Sequence, residues 1–276
     1  MYKLSIITIN YNNLEGLKRT IESVVNQTWQ EFEHIVIDGG STDGSAEYIE
    51  TQSNKINYWV SELDKGIYNA MNKGIKAATG DYLLFLNSGD HFFNDEVLML
   101  NHQYLTEYDL VYFNLQMINS KFMKTVIYPD KLRFSDLYLD SLPHPATFIN
   151  KQLFNTVGLY DENLKIVSDW KFFILALFKF NCNYLKVDAT LSTFYLDGIS
   201  SNENFSEERQ SVLKQYFSGF VLDNEELILN RKYINTNRFK LLQEIEKTKL
   251  GKKVISVFFR SYVFLFSKKK LKDILN

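Results

Sequence analysis

Apolar residues fall in short runs along the first ninety positions, and the runs end abruptly in small or polar residues. Leu4 to Ile9 is a β-branched run broken by Asn10-Tyr11-Asn12-Asn13, which predicts a strand and then a loop. Leu14, Leu17, Ile21, Val24 and Val25 recur at helical spacing, with Asn12 and Glu15 at capping-box separation. His34 to Ile37 predicts a second strand, ending in Asp38-Gly39-Gly40-Ser41-Thr42-Asp43-Gly44. Ser45 to Gln52 predicts a helix, Tyr58 to Val60 a third strand, and Ile67 to Ala78 a helix stopped by Gly80. Tyr82 to Leu86 then predicts a buried strand that delivers Asn87-Ser88-Gly89-Asp90. Strands alternating with helices at this pitch imply βαβ units, hence an α/β, Rossmann-like, mostly parallel sheet flanked by helices. Ligands of such sheets bind at the carboxyl edge, where the loops tipped by Asp38, Asp43 and Asp90 would lie.

The second half carries weaker periodicity. Asp109 to Leu115 and Thr125 to Tyr128 predict strands around a turn at Asn119-Ser120. Pro143 and Pro145 disfavour helix and hold His144 in a rigid loop ahead of a short apolar run. Two readings stay open for His144: a metal or diphosphate contact, and an ordinary loop histidine. Ile166 to about Lys179 predicts an apolar helix with Ser168 or Asp169 at its start, where an N-cap is the plain reading. Leu185 to Val187 and Leu191 to Tyr195 are expected to finish the sheet, and Asp197 to Ser201 forms a glycine-containing loop suited to a lid. A helix over Ser206 to Gly219 and a polar, Asn-rich stretch near Asn224 to Asn237 follow.

Composition changes this picture in three places. A net charge of −2 over 276 residues gives no global reason to bind nucleic acid. One cysteine, Cys182, excludes an internal disulfide and fits a reducing compartment and a core position. The amino-terminal apolar run is too short for a signal peptide, and no window of about 18 uncharged apolar residues predicts a spanning helix. The end of the chain is distinct: from Lys249 onward eight Lys or Arg face one acid, Asp273. The apolar run Val254 to Phe266, interrupted only by Arg260 as a charge, suits a helix on an anionic membrane face or a terminal helix docked on the preceding domain.

Neither GxxxxGK[ST] nor GxGxxG occurs. Three blocks in order, Ser5 to Asn12, VIDGGSTDGS (Val36 to Ser45) and DKGIYNAMNKGIKAATGDYLLFLNSGD (Asp64 to Asp90), instead resemble the family 2 glycosyltransferases, inverting sugar-nucleotide enzymes of the GT-A fold. The resemblance spans residues 1–200. It implies a nucleotide-binding half at 1–90, an acceptor half at 91–200 and a helical extension at 201–276, with 249–276 as the membrane-surface candidate.

The same resemblance assigns roles. Thr8, Asn10 and Tyr11 would line the nucleotide pocket; Asp38 would contact the base, with Asp43 supporting its loop. Asp64 and Lys65 would lie near the nucleotide and phosphates, with Asn69 and Lys73 on the next helix. Asn87 and Ser88 would meet the donor. Asp90 is the one acid kept from a motif usually written Asp-x-Asp-Asp, and it would bind Mg²⁺ or Mn²⁺, with His144 as a second ligand. Asp169 would be the general base, and Trp170 would stack on a sugar ring. The implied partners are a nucleotide-diphosphate sugar, a UDP-sugar first, and a glycan or lipid-linked glycan acceptor. The implied place is the cytoplasm, at the inner face of the plasma membrane. Two rivals stand beside this. A sugar-phosphate nucleotidyltransferase would want a basic loop after the first strand, and Asn10 to Asn13 supplies no Lys or Arg. A non-catalytic sugar-nucleotide-binding or scaffold protein is motivated by the reduced acid motif.

Overall fold

The first strand, β1 (Leu4–Asn10), is buried on both faces over its whole length, so it must have a neighbour on each edge and a layer on each side. The computed structural model describes residues 2–196 and 206–267. In it β1 is followed by α1 (Leu14–Val25), β2 (Phe32–Asp38), α2 (Ser45–Thr51), β3 (Tyr58–Ser61), α3 (Ile67–Ala77) and β4 (Tyr82–Phe85). β2 and β4 flank β1 and β3 joins β2, all parallel. The register pairs Asn10 with Asp38 and Ile7 with Phe85, so three polar loops leave the sheet along one carboxyl edge.

Beyond β4 the sheet becomes mixed. The elements are β5 (His91–Phe92), α4 (Val97–Asn101), β6 (Leu110–Ile118), β7 (Met123–Val126), α5 (Phe134–Leu139), β8 (Thr147–Asn150), α6 (Leu153–Val157), α7 (Ser168–Phe178) and β9 (Tyr184–Tyr195). The strand order is β3-β2-β1-β4-β8-β6-β9-β5, with β7 on β6. β8 runs antiparallel to β4 and β6, while β9 runs parallel to β6. An antiparallel β8 has its amino end where β4 has its carboxyl end. That reversal delivers the residues just before Thr147 to the edge occupied by Asn87.

Several local expectations shift. Asn13, not Asn12, caps α1, its Oδ1 accepting from Gly16 N at 3.2 Å. Asn12 sits at φ +48° and its carboxamide instead receives Thr42 N at 2.8 Å. The hairpin strand begins at Met123, because Asn119 Oδ1 accepts from both Lys121 N and Phe122 N and closes a tight turn. The prolines around His144 permit a single 3₁₀ turn, His144–Ala146, closed by Ala146 N donating to Pro143 O at 2.9 Å. The two strands expected near the end of the sheet are one, β9, whose pairing with β6 continues through a register shift between Tyr112 and Leu115.

One core cluster lies around Leu4, Ile6, Leu84, Phe113, Phe148 and Leu191. A second joins Leu17, Ile21, Val36, Ile49 and Ile56 between β2 and the first two helices. Each such side chain contributes about 1.5–3 kcal/mol on burial, enough to make the sheet a stiff platform for its edge loops. Cys182 is buried and unoxidised, and burial pushes its thiol up to about 12.

The chain divides into two units, residues 1–212 and 213–276. α8 (Ser206–Ile234) continues past Gly219, where the helix was expected to end, into the polar, Asn-rich stretch, and leaves helical geometry at Phe217. Its start belongs to the first unit, where Glu208 accepts from Lys165 N at 2.8 Å and Ile166 N at 3.1 Å. The second unit continues with α9 (Asn237–Ile245) and α10 (Lys249–Phe266). Among the described residues no helix is long and apolar enough to cross a membrane. The Asp197 to Ser201 loop and the chain from Lys268 onward lie outside the described residues.

Candidate active site

Asp38 ends β2 and is fully buried, and four donors converge on its carboxylate. Asn10 Nδ2 (2.7 Å) and Ser41 Oγ (2.6 Å) donate to Oδ1; Ser61 Oγ (2.6 Å) and Ser41 N (2.9 Å) donate to Oδ2. Burial pushes this acid upward, but the bonds from Ser41, Ser61 and Asn10 outweigh it and hold the carboxyl below its usual range. Asp38 therefore ties the ends of β1, β2 and β3 together. Asp43 does similar work one turn later. It receives Leu14 N at 2.9 Å and Ser45 Oγ at 2.6 Å, and the Ser45 bond in particular lowers its pKa.

This lacing leaves a shallow place beside Gly39. The Tyr11 ring is 65% exposed there. A Cβ added to Gly39 would meet Asp64 Oδ2 at 2.4 Å and Tyr11 Cδ2 at 3.2 Å, so the residue type keeps backbone, carboxylate and aromatic ring in mutual reach. Asp64 Oδ1 accepts from Gly66 N at 2.9 Å, and Lys65 is exposed alongside. Thr8 does not reach this surface. It is fully buried two residues short of the strand end, with its hydroxyl 3.1 Å from His34 Nε2. Asn69 is also turned to other work: its carboxamide accepts from Lys65 N (3.2 Å) and donates to Glu162 Oε2 (2.9 Å). Lys73 pairs with Glu62 at 2.7 Å.

The loop after β4 is held from below by α1. Thr20 Oγ1 donates to Asp90 O at 2.6 Å and receives Gly89 N at 3.0 Å. Arg19 Nε donates to Gly89 O at 3.1 Å, and Asn13 Nδ2 donates to Ser88 O at 3.0 Å. Gly89 has φ +110°, which lets the chain turn so that Asp90 N returns to Asn87 O at 2.9 Å. Asp90 is 5% exposed. No group of three His, Cys, Asp or Glu suited to a metal converges among the described residues.

Asp169 opens α7, and its carboxylate spans two partners. Tyr68 OH donates to Oδ1 at 3.0 Å, and His144 Nδ1 lies 3.2 Å from Oδ2. The same hydroxyl also reaches Ile166 O, so its one proton is shared between carbonyl and carboxylate, and burial followed by the Asp169 charge raises its pKa well above normal, which keeps it a proton donor. The other ring nitrogen of His144, Nε2, is 3.2 Å from Asn87 Nδ2. Asn87 donates that bond, so Nε2 is the acceptor and the proton sits on Nδ1, facing Asp169. In this arrangement both ring nitrogens of His144 are engaged, one facing Asn87 and the other Asp169.

Electrostatics follow from the same contacts. For Asp169 burial raises the pKa, yet the His144 bond and charge, the Trp170 amide and Tyr68 together lower it, so the acid stays ionised. For His144 burial lowers the pKa, but Asp169 and then Asp90 raise it overall. Both side chains keep some solvent access, 19% for His144 and 18% for Asp169. Trp170 is not available for stacking on a sugar: it is buried, its Nε1 donates to Leu137 O at 2.6 Å, and Arg209 covers its ring at 4.8 Å.

The structure thus gathers Asn10, Tyr11, Asp38 and Asp64 at one end of the edge, and Asn87, Ser88, Asp90, His144 and Asp169 at the other. The supports were missed in the sequence. Tyr68, Thr20, Ser41 and Ser61 looked like ordinary helix, loop and strand residues. A polar hydroxyl on an otherwise apolar helix face, as at Thr20 between Leu17, Ile21 and Val24, was the one available signal.

Comparison with known proteins accords with this geometry. The sequence model described as Glycosyl transferase family 2 matches residues 5–155. An uncharacterized glycosyltransferase of Mycobacterium tuberculosis is 34% identical over 204 residues, covering 72% of this chain and 77% of that protein. A PGL/p-HBAD biosynthesis glycosyltransferase of the same species is 30% identical over 175 residues, covering 61% of this chain and 67% of the relative. Among solved structures, Staphylococcus aureus TarS 1–349 in complex with UDP-GlcNAc superposes with a TM-score of 0.63 at 20% identity, covering 98% of this chain and 77% of that one, a likeness of GT-A fold. Over half of its length, from the first strand through the loop that carries Asp90 and on past β8, the chain belongs to the family 2 glycosyltransferases.

Proposed function

We propose that this glycosyltransferase moves a sugar from a UDP-sugar to a hydroxyl of a glycan or lipid-linked glycan, with inversion at the anomeric carbon, in polysaccharide synthesis. The observation that carries the reading is Asp169: an ionised carboxylate, partly open to solvent, aimed by Tyr68 and His144. An acid at a helix amino terminus favours its charged form, as a base requires.

The reaction is a single displacement. Asp169 takes the proton of the acceptor hydroxyl while that oxygen bonds to the anomeric carbon, and the bond from that carbon to the diphosphate breaks. Tyr68 and His144 hold the carboxylate in place and stabilise its charge until the proton arrives. Tyr11, beside Gly39 and Asp64, offers a flat exposed face for a base, with Asp38 keeping the loop in shape rather than touching the ligand. Lys65 lies where it would meet phosphate. Asn87 and Ser88 would lie beside the donor sugar.

The residues fit a divalent cation of limited protein ligation. Asp90 would hold Mg²⁺ or Mn²⁺ through one carboxylate, with diphosphate oxygens and water completing the shell. A cation held there by Asp90 would supply positive charge to offset that on the departing diphosphate. A UDP donor accords with the UDP-GlcNAc complex of TarS, whose fold is shared.

The test is a thermal-shift panel of UDP- and GDP-sugars with and without Mg²⁺ or Mn²⁺, followed by transfer assays on the stabilising donor. A UDP-sugar should raise Tm more with metal than without. A chain stabilised by no UDP-sugar under either condition would overturn the donor assignment, and retention of anomeric configuration in the product would overturn the mechanism.

A further inference from the structure

The 18-residue helix α10 carries Lys249, Lys252, Lys253 and Arg260 and no acid. Lys249, Lys253, Ser256 and Arg260 recur at steps of four, three and four, which draws one polar stripe along a helix. Leu250, Val254, Phe258, Tyr262 and Leu265 fall on the opposite side by the same spacing. These apolar side chains are exposed: Leu250 74%, Val254 57%, Phe258 60%, Tyr262 57% and Leu265 66%. Proteins seldom leave so continuous an apolar surface in water without a partner.

The chemistry of the stripe selects the partner. A second copy of α10 could cover the apolar face but would bring no acid to the cation stripe. Upstream of the helix, Glu244 is already paired with Lys247 at 2.6 Å, and Glu246 precedes Lys249 by three residues. The sequence adds Lys268, Lys269, Lys270 and Lys272 directly after the helix. An apolar face with a cation stripe on the other side of the helix, and further lysines next in the sequence, matches the boundary between lipid headgroups and acyl chains. At about 1.5 Å per residue the helix would extend roughly 27 Å along a membrane surface.

We propose that α10 is a docking helix for an anionic bilayer surface, lying in the plane of the headgroups with Phe258, Tyr262 and Leu265 inserted and the Lys249–Arg260 stripe at the phosphates. The assignment is independent of the transfer chemistry proposed above.

Sedimentation of the full chain with phosphatidylcholine vesicles, with and without phosphatidylglycerol, tests it. The chain should pellet with the phosphatidylglycerol vesicles, stay in solution with the neutral ones, and be released by salt. Phe258→Ser combined with Leu265→Ser should weaken binding at least tenfold. Lys253→Glu combined with Arg260→Glu should weaken it more than about 25-fold, from a contribution near fivefold per basic residue. These positions are exposed, so the Tm of each variant should stay at the wild-type value. Equal binding to neutral vesicles, no binding to anionic ones, or binding unchanged by both double variants would overturn the proposal. So would a dimer, seen by light scattering, that dissociates in the Phe258→Ser, Leu265→Ser variant while vesicles bind neither form.

Discussion

The carboxamide nitrogen of Asn87 lies 3.2 Å from Nε2 of His144, and the far side of the same ring lies 3.2 Å from Asp169. Asn87 leaves the parallel half of the sheet at the end of β4. His144 precedes β8, the strand that reverses direction against β4. The imidazole is therefore the bridge by which the donor-edge loop and the candidate base share one hydrogen-bonded line.

Replacing the base tests the centre of that line. Asp169→Asn keeps the size of the side chain and its place on α7 but cannot take a proton. Transfer should fall by about 10²–10⁴-fold, the usual worth of general-base catalysis. UDP-sugar binding, read by calorimetry, should stay within a few-fold of wild type. Near-normal turnover in the variant would remove Asp169 from the mechanism.

His144→Gln separates positioning from chemistry. The glutamine removes the imidazole N–H and the fixed geometry behind Asp169 while leaving the carboxylate in place. Because burial raises the Asp169 pKa and His144 counters it, the variant's Asp169 should titrate higher. The acid limb of the kcat profile should then move to higher pH. The donor KM should change little while kcat drops by roughly tenfold or more. A lower kcat with an unmoved acid limb would mean that His144 acts only through packing.

Asp38 makes the same kind of prediction for the nucleotide end. Asp38→Asn trades a four-acceptor carboxylate for a group that must donate on one side, facing Ser41, Ser61 and Asn10, which already donate. A buried donor left unmatched costs about 1–3 kcal/mol, visible as a lower urea midpoint. UDP binding should weaken as the Tyr11–Gly39 surface loses its anchor. Wild-type UDP affinity in a destabilised variant would confine Asp38 to folding alone.

What the sequence could reveal follows from where the information is local. β1 to β4 and their helices are legible because each apolar run and each polar break is read within a few residues. Asp38 and Asp90 stand out for the same reason, as acids that follow an apolar run, whereas Asp169, at the start of an apolar helix, reads as an N-cap and takes its role from the family resemblance. The antiparallel entry of β8 is not local, and with it the meeting of His144 and Asn87 was hidden. Trp170 misled because an aromatic next to a catalytic acid looks like a sugar platform, whereas its indole N–H and ring are both taken, by Leu137 and Arg209. Thr8 misled by distance of two residues from the strand end, which in a sheet buried on both faces is already the interior.

His34 offers a test of that interior by pH. It lies buried on β2 with Nε2 at Thr8, and burial drives its pKa down from 6.5 to about 3. The unfolded chain binds a proton near pH 6.5, and the native chain does not until about pH 3. Between those values the unfolded state holds more protons, so this group makes stability fall as pH falls. His144 has the opposite sign. Its native pKa is raised, so its contribution is present below its unfolded value and is lost as pH rises through the folded one. Comparing wild type with His34→Gln, which retains a polar partner for Thr8, cancels the His144 effect and every other shared titration. The variant should gain about 2 kcal/mol on wild type between pH 7 and pH 5, measured by urea unfolding. A constant difference across that interval would mean that His34 takes up its proton in the folded chain, and that the floor of the nucleotide edge is wetter than its packing implies.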